Sequence, residues 1–315
     1  MESGSSDEKG ETYAAQLRAA GVPLFFVLFF GALSVTTTVF ADESLNVEGM
    51  KLNYFSAGSG KPVVFIHGSY GSLEDFRMSI FDKAARKNKV IALDMPGHGK
   101  SERPKQVMTL EEHANYLHLT FKKLRLEKPV LVGHSWGGAV ILAYALKYPD
   151  EISGLVLLGA YTTPYEHLDL IYRVTTTPIL GDFFALLVVQ PIGYLKNPSS
   201  FLKKAFYPDR VPDDYARVVV PLAIKPSAFK ANAEDVKSLG PALEKISAHY
   251  SEIKVPVIIV TGDADQIAPA ERHAYPLHKA IPHSKLIVLP KTGHQPAFTK
   301  PDEVMKAIDM VWTDF

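Results

Sequence analysis

The stretch Pro129-Val-Leu-Val-Gly-His-Ser-Trp-Gly-Gly-Ala139 decides the fold class. Residues 129–132 are apolar and β-branched behind Lys128, which predicts a short buried strand. From Ala139 the spacing changes, and Val140, Leu142, Ala143, Leu146 and Tyr148 cover a broad apolar helix face. Between the two lies Gly133-x-Ser135-x-Gly137, the pattern of a nucleophile elbow. A strand that turns sharply into a helix strains the backbone at the corner, and flanking glycines let neighbouring chain approach without a Cβ clash. The turn lifts Ser135 Oγ out of the sheet, and the helix N-terminus behind it favours negative charge. Alone, the motif fits a plain glycine-rich turn equally well, so the surrounding chain has to decide.

Upstream, residues 50–55 alternate like an antiparallel strand, and residues 62–66 form the continuous apolar run of a strand buried on both faces. The latter ends in His67-Gly68-Ser69-Tyr70-Gly71-Ser72. Residues 73–87 read as one amphipathic helix, and residues 89–93 as a further buried strand ending in Asp94-Met-Pro-Gly-His-Gly-Lys-Ser101. Thr109 and Glu112 make a capping box for the next helix. Downstream, residues 152–158 are again a strand, and the alternation then stops. From Tyr161 to about Ser251 the reading is helical pieces separated by prolines, and strands resume only at 255–261 and 285–289, before a last helix near 301–312. The expected architecture is α/β: a mostly parallel sheet flanked by helices, with a helical cap inserted after the sixth strand. Its parts are a polar disordered tail (1–18), a hydrophobic segment (19–41), a core in two pieces (42–160 and 251–315) and the cap (161–250). Residues 180–195 are the most apolar part of the cap; lining a substrate pocket, dipping into a membrane and forming the cap's own core all remain open.

Composition narrows the chemistry. The 315 residues carry 34 basic and 34 acidic side chains, and no basic-aromatic patch suggests nucleic acid as a partner. There are no cysteines, which excludes disulfides, thiol catalysis and cysteine-based zinc sites. Residues 19–41 contain no charge and are long enough for a membrane helix, while Val39-Phe40-Ala41 offers small residues where a signal peptide is cut. The segment reads as a cleaved signal peptide or a retained anchor, with a soluble packing helix as a third reading. Arg18 before it and Asp42-Glu43 after it favour an exported body on the periplasmic or extracellular side, with the cytoplasm as the alternative.

Five motifs in order carry a resemblance: His67-Gly68, Asp94-x-Pro-Gly-His-Gly-x-Ser101, Gly133-His-Ser-Trp-Gly-Gly138, Gly262-Asp-Ala-Asp265 and Gly293-His294. From about residue 50 to the C-terminus the chain resembles the α/β-hydrolase superfamily, in particular its capped esterases, C–C bond hydrolases and perhydrolases. The resemblance implies Ser135 as nucleophile, Asp265 as orienting acid and His294 as base. Of the eleven histidines, His294 alone follows the last strand in a Thr-Gly-His loop, at the end of the sheet where Ser135 emerges. Asp263 then reads as a turn-capping residue, and Glu166 as the weaker alternative acid. Oxyanion donors are expected from the backbone N–H of Trp136 and of Ser69, with Tyr70 as the alternate to Ser69. Asp94 and His98 are expected to fix their loop, and His113 and His118, wrongly spaced to share a ligand, to lie on the surface.

A serine at the elbow sets this chain apart from relatives that attack with a carboxylate. No metal or organic cofactor is needed for acylation of Ser135 and hydrolysis by water that His294 activates. The expectation is a serine esterase for small to medium hydrophobic substrates. C–C hydrolysis, perhydrolysis or acyl transfer on the same triad is the alternative, and a non-catalytic binding protein of the same fold the remote one.

Overall fold

The computed structural model describes residues 42–104, 106–164, 170–195 and 199–315, the side chain of Phe201 excepted. The tail 1–18, the hydrophobic segment 19–41 and Glu166 lie outside the described residues. Eight strands form one sheet: β1 (Glu43–Val47), β2 (Met50–Ala57), β3 (Pro62–Ile66), β4 (Lys89–Leu93), β5 (Val130–His134), β6 (Gly154–Leu158), β7 (Val257–Gly262) and β8 (Lys285–Leu289). Their spatial order is β1-β2-β4-β3-β5-β6-β7-β8. Only the pairings of β2 with β1 and with β4 are antiparallel; the rest of the sheet is parallel.

The continuous apolar strands are explained by two cores. In β3, Val64 and Ile66 enter the core on one face while Val63 and Phe65 enter the core on the other. Leu131 and its neighbours Val130 and Val132 divide in the same way on β5. Helices α1 (Glu74–Arg77) and α2 (Phe81–Ala85) cover one face, and α3 (Leu110–Leu124) and α4 (Trp136–Lys147) the other. The single helix expected over 73–87 is thus two. Ser79 Oγ donates to the Asp75 carbonyl at 2.6 Å, the acceptor that the Ser79 N–H would use in a continuing helix. That N–H turns to Phe76 O instead. The capping box of α3 is formed on both sides, Glu112 N–H to Thr109 Oγ1 and Thr109 N–H to Glu112 Oε2.

Between β6 and β7 every described element is helical: α5 (Leu170–Thr175), α6 (Leu180–Phe184), a π-turn (Ala185–Val189), α7 (Gln190–Leu195), α8 (Ser199–Phe206), α9 (Asp213–Ala223), α10 (Pro226–Ser247) and a final 3₁₀ turn. The chain then re-enters the sheet and ends in α11 (Ala274–Ala280), α12 (Pro296–Thr299) and α13 (Pro301–Thr313). Cap helix α10 is drawn close to the loop after β4, where Gly97 has φ +86° and a Cβ would lie 2.7 Å from the Ala231 methyl. Residues 180–195 are not the cap's buried core: Leu180, Phe183, Leu187 and Leu195 are exposed. Among the described residues no helix is long and apolar enough to cross a membrane.

Candidate active site

Ser135 sits at the corner between β5 and α4 with φ 53° and ψ −117°, a conformation disfavoured for any residue with a Cβ. The corner is crowded enough to dictate its neighbours. A Cβ on Gly137 would lie 2.4 Å from His67 O, and one on Gly133 would lie 2.6 Å from Gly137 O. Ser135 itself is buried, its N–H donating to Leu158 O at 2.9 Å.

Two neighbouring loops at the same end of the sheet bring Asp265 and His294 together. Asp265 follows β7 and His294 follows β8, and His294 Nδ1 donates to Asp265 Oδ2 at 2.7 Å. Asp265 Oδ1 accepts the N–H groups of Ile267 and Ala268, each at 2.8 Å, so both carboxylate oxygens are held. Burial pushes the Asp265 carboxyl up, but the His294 imidazole and the two backbone donors outweigh it and hold it below its ordinary value. Asp263 accepts the Thr292 N–H at 3.3 Å, which ties the turn after β7 to the loop that carries His294. Gly159 closes the far side: with φ +50°, a Cβ there would press to 3.1 Å against both Asp265 Oδ2 and His294 Nδ1. Among the described residues nothing is hydrogen-bonded to Ser135 Oγ, so the serine–imidazole bond is not made in this state. Ser135 and His294 nonetheless line one cavity.

The Trp136 N–H, at the first position of α4, has no intrahelical acceptor, and the Ser69 N–H has none among the described residues. Tyr70, the alternate donor, is already engaged: its N–H donates to Asn232 Oδ1 of α10. Ser69 is therefore the freer of the two.

Beneath the elbow the Trp136 ring is stacked on His98 and met edge-on by His113 at 4.9 Å. His113 is not on the surface. It is 2% exposed, with Nε2 3.2 Å from Asp235 Oδ1 of α10, because α10 covers the helix face on which it lies. His118 is half-buried, stacked on Tyr148 and 2.7 Å from Glu151 Oε2. Asp94 does fix its loop, accepting from the N–H groups of Leu73 and Lys100 and from Asn53 Nδ2. His98 does more than expected, since its Nε2 lies 3.1 Å from Asn232 Oδ1 and so reaches the cap. Nothing in the sequence pattern marked Asn232, Asp235 or Gly159. Among the described residues no group of three His, Asp or Glu side chains is placed to hold a metal ion.

The cavity over Ser135 measures about 980 Å³. Its floor is core (Ser69, Ser135, His294) and its roof is cap, with Phe184, Val188 and Ile192 from residues 180–195 among the lining.

Residues 61–177 match the family model described as the alpha/beta hydrolase fold. The chain has the α/β-hydrolase fold. The chain is 27% identical over 279 residues to 2-hydroxy-6-oxo-6-(2'-aminophenyl)hexa-2,4-dienoic acid hydrolase of Metapseudomonas resinovorans, covering 86% of this chain and 90% of the relative. It is 25% identical over 277 residues to the proline iminopeptidase of Saccharolobus solfataricus, covering 81% and 86%. The bromoperoxidase of Bacillus anthracis superposes with a TM-score of 0.70 at 24% identity, covering 87% of this chain and all of that one (100%). That likeness concerns the fold.

Proposed function

We propose that this α/β-hydrolase is a serine hydrolase acting on carboxylic esters of hydrophobic acids. The observation that carries the reading is the 2.7 Å bond between Asp265 and His294 Nδ1, in a cavity that Ser135 also lines. That bond places the imidazole proton on Nδ1 and leaves Nε2 as the basic nitrogen. Ser135 Oγ attacks the ester carbonyl as His294 Nε2 takes its proton, and Asp265 stabilises the imidazolium that results. The N–H groups of Trp136 and Ser69 receive the oxyanion. The proton then passes to the departing alcohol, and a water deprotonated by His294 releases the acid from the acyl-enzyme.

The mainly apolar roof favours acyl chains over charged acids. Each methylene accommodated contributes about 0.8 kcal/mol, roughly a three- to fourfold gain in kcat/KM per carbon until the cavity is filled. A series of p-nitrophenyl esters from acetate to dodecanoate tests this. A flat profile, or turnover of none, would contradict the ester reading.

C–C bond hydrolysis by the same three residues is the second reading, favoured by the dienoic acid hydrolase relative. It predicts that a vinylogous 1,5-diketone is cleaved faster than any ester of the series. Perhydrolysis or acyl transfer would show as a preference for peroxide, or for an alcohol or amine acceptor, over water. Export through residues 19–41, or anchoring by them, belongs to the same proposal, and N-terminal sequencing of the mature protein decides between a cut after Ala41 and a retained segment.

A further inference from the structure

We propose that Asn232, on cap helix α10, is a positioning residue for the oxyanion loop 68–71, an inference that rests on the serine-hydrolase reading above. Three observations converge on that loop. Tyr70 holds φ +59°, a left-handed conformation that a bulky residue keeps only when its surroundings impose it. Its N–H donates to Asn232 Oδ1, and the preceding turn is closed by Gly71 N–H to Gly68 O at 3.1 Å. Its ring packs against Phe229, also on α10, and against Tyr172 on α5. The cap therefore grips Tyr70 by both backbone and side chain.

The Asn232 amide is well suited to the task. It is 1% exposed, and its Nδ2 donates to Ala228 O at 2.8 Å one turn back on α10. A backbone N–H can only donate, so the atom that faces Tyr70 is the amide oxygen. Fixing the Tyr70 N–H fixes the plane of the Ser69–Tyr70 peptide. With the Gly68–Gly71 turn pinned on the other side, the Ser69 N–H has little freedom left. In this account the cap roofs the cavity and also aims one of the two oxyanion donors. The loop lacks a glycine-rich form that would hold itself, and Asn232 supplies the missing constraint from outside.

The experiment uses the full chain, with Asn232→Leu (same size, no acceptor), Asn232→Asp (acceptor kept) and Glu234→Gln. The last breaks the Arg103–Glu234 ion pair between α10 and the core without touching the oxyanion loop. Steady-state hydrolysis of a p-nitrophenyl ester and the rate of Ser135 labelling by a fluorophosphonate are read beside amide hydrogen exchange at residues 69–71. Asn232→Leu is expected to lower kcat and the labelling rate by about 10- to 100-fold, with KM within about threefold, as for a weakened oxyanion donor. Exchange at Tyr70 should speed up in parallel. Asn232→Asp should recover most of the rate, and Glu234→Gln should match the wild type in all three readouts. An Asn232→Leu enzyme with wild-type kcat would overturn the inference, as would an equal loss in Glu234→Gln, which would mean that cap seating in general is being read. If Asn232→Leu does not fold, Asn232→Ala reads the same quantities. A wild type unlabelled at Ser135 would overturn the hydrolase reading itself, while Tyr70 exchange would still report whether Asn232 holds the loop.

Discussion

At the scale of single residues, the site rests on backbone positions that only particular side chains tolerate. Ser135 keeps its strained corner because Gly133 and Gly137 leave room for strands and helix to close around it. Gly159 does the same for the Asp265–His294 pair. The role assigned to Asp265 is testable at this scale. Asp265→Asn keeps the shape but removes the acceptor that holds the His294 tautomer, so kcat should fall by roughly three to four orders of magnitude with KM little changed. A loss of less than tenfold would point to another acid. Ser135, Asp265 and His294 were legible in the sequence because each belongs to a loop motif with a fixed place after a strand. Asn232, Gly159 and the burial of His113 were not. Their roles come from α10 and β6 approaching the elbow from distant parts of the chain, and no local pattern encodes that approach.

At the scale of elements, the inner parallel strands β3 to β7 were readable because each is buried on both faces and so continuously apolar. The edge strand β1, Glu43-Ser-Leu-Asn-Val47, was missed for the opposite reason: paired only with β2, it buries little beyond Val47. The helix over 73–87 was read as unbroken because nothing in its periodicity shows that Ser79 takes a backbone acceptor. Between α1 and cap helix α9 lies a buried polar link, Tyr215 OH donating to Asp75 Oδ1 at 2.9 Å. Burial raises the Asp75 carboxyl to about 7, against the lowering effect of the Tyr215 hydroxyl and a backbone donor. The folded state therefore holds this proton more tightly than the unfolded chain, whose carboxyl titrates near 4. The resulting stabilisation is complete below about pH 4 and is lost as the pH rises through about 7. Thermal melts from pH 4 to 8 should show Tm falling over that window in the wild type and falling less in Asp75→Asn. Parallel curves for the two proteins would show that Asp75 is not the group responsible.

At the scale of the whole molecule, the proposed reaction is divided between a core that carries Ser135, Asp265 and His294 and a cap that roofs them. The core places Ser135, Asp265 and His294 at the C-terminal ends of β5, β7 and β8, where open α/β sheets bind ligands. The cap contributes apolar lining and reaches the core through Asn232 to the loop 68–71, through Asp235 to His113 on α3 and through Tyr215 to Asp75 on α1. That insert was visible in the sequence as a long strand-free interval, but its grip on the core was not, since polar side chains on a helix ordinarily signal a solvated face. The measurement that tests the central claim most directly is labelling of the full chain with a fluorophosphonate, beside Ser135→Ala and His294→Ala. The account predicts covalent modification at Ser135 in the wild type, none in Ser135→Ala, and a rate reduced at least a hundredfold in His294→Ala. A folded wild type that does not react, or one that reacts equally fast without His294, would contradict it.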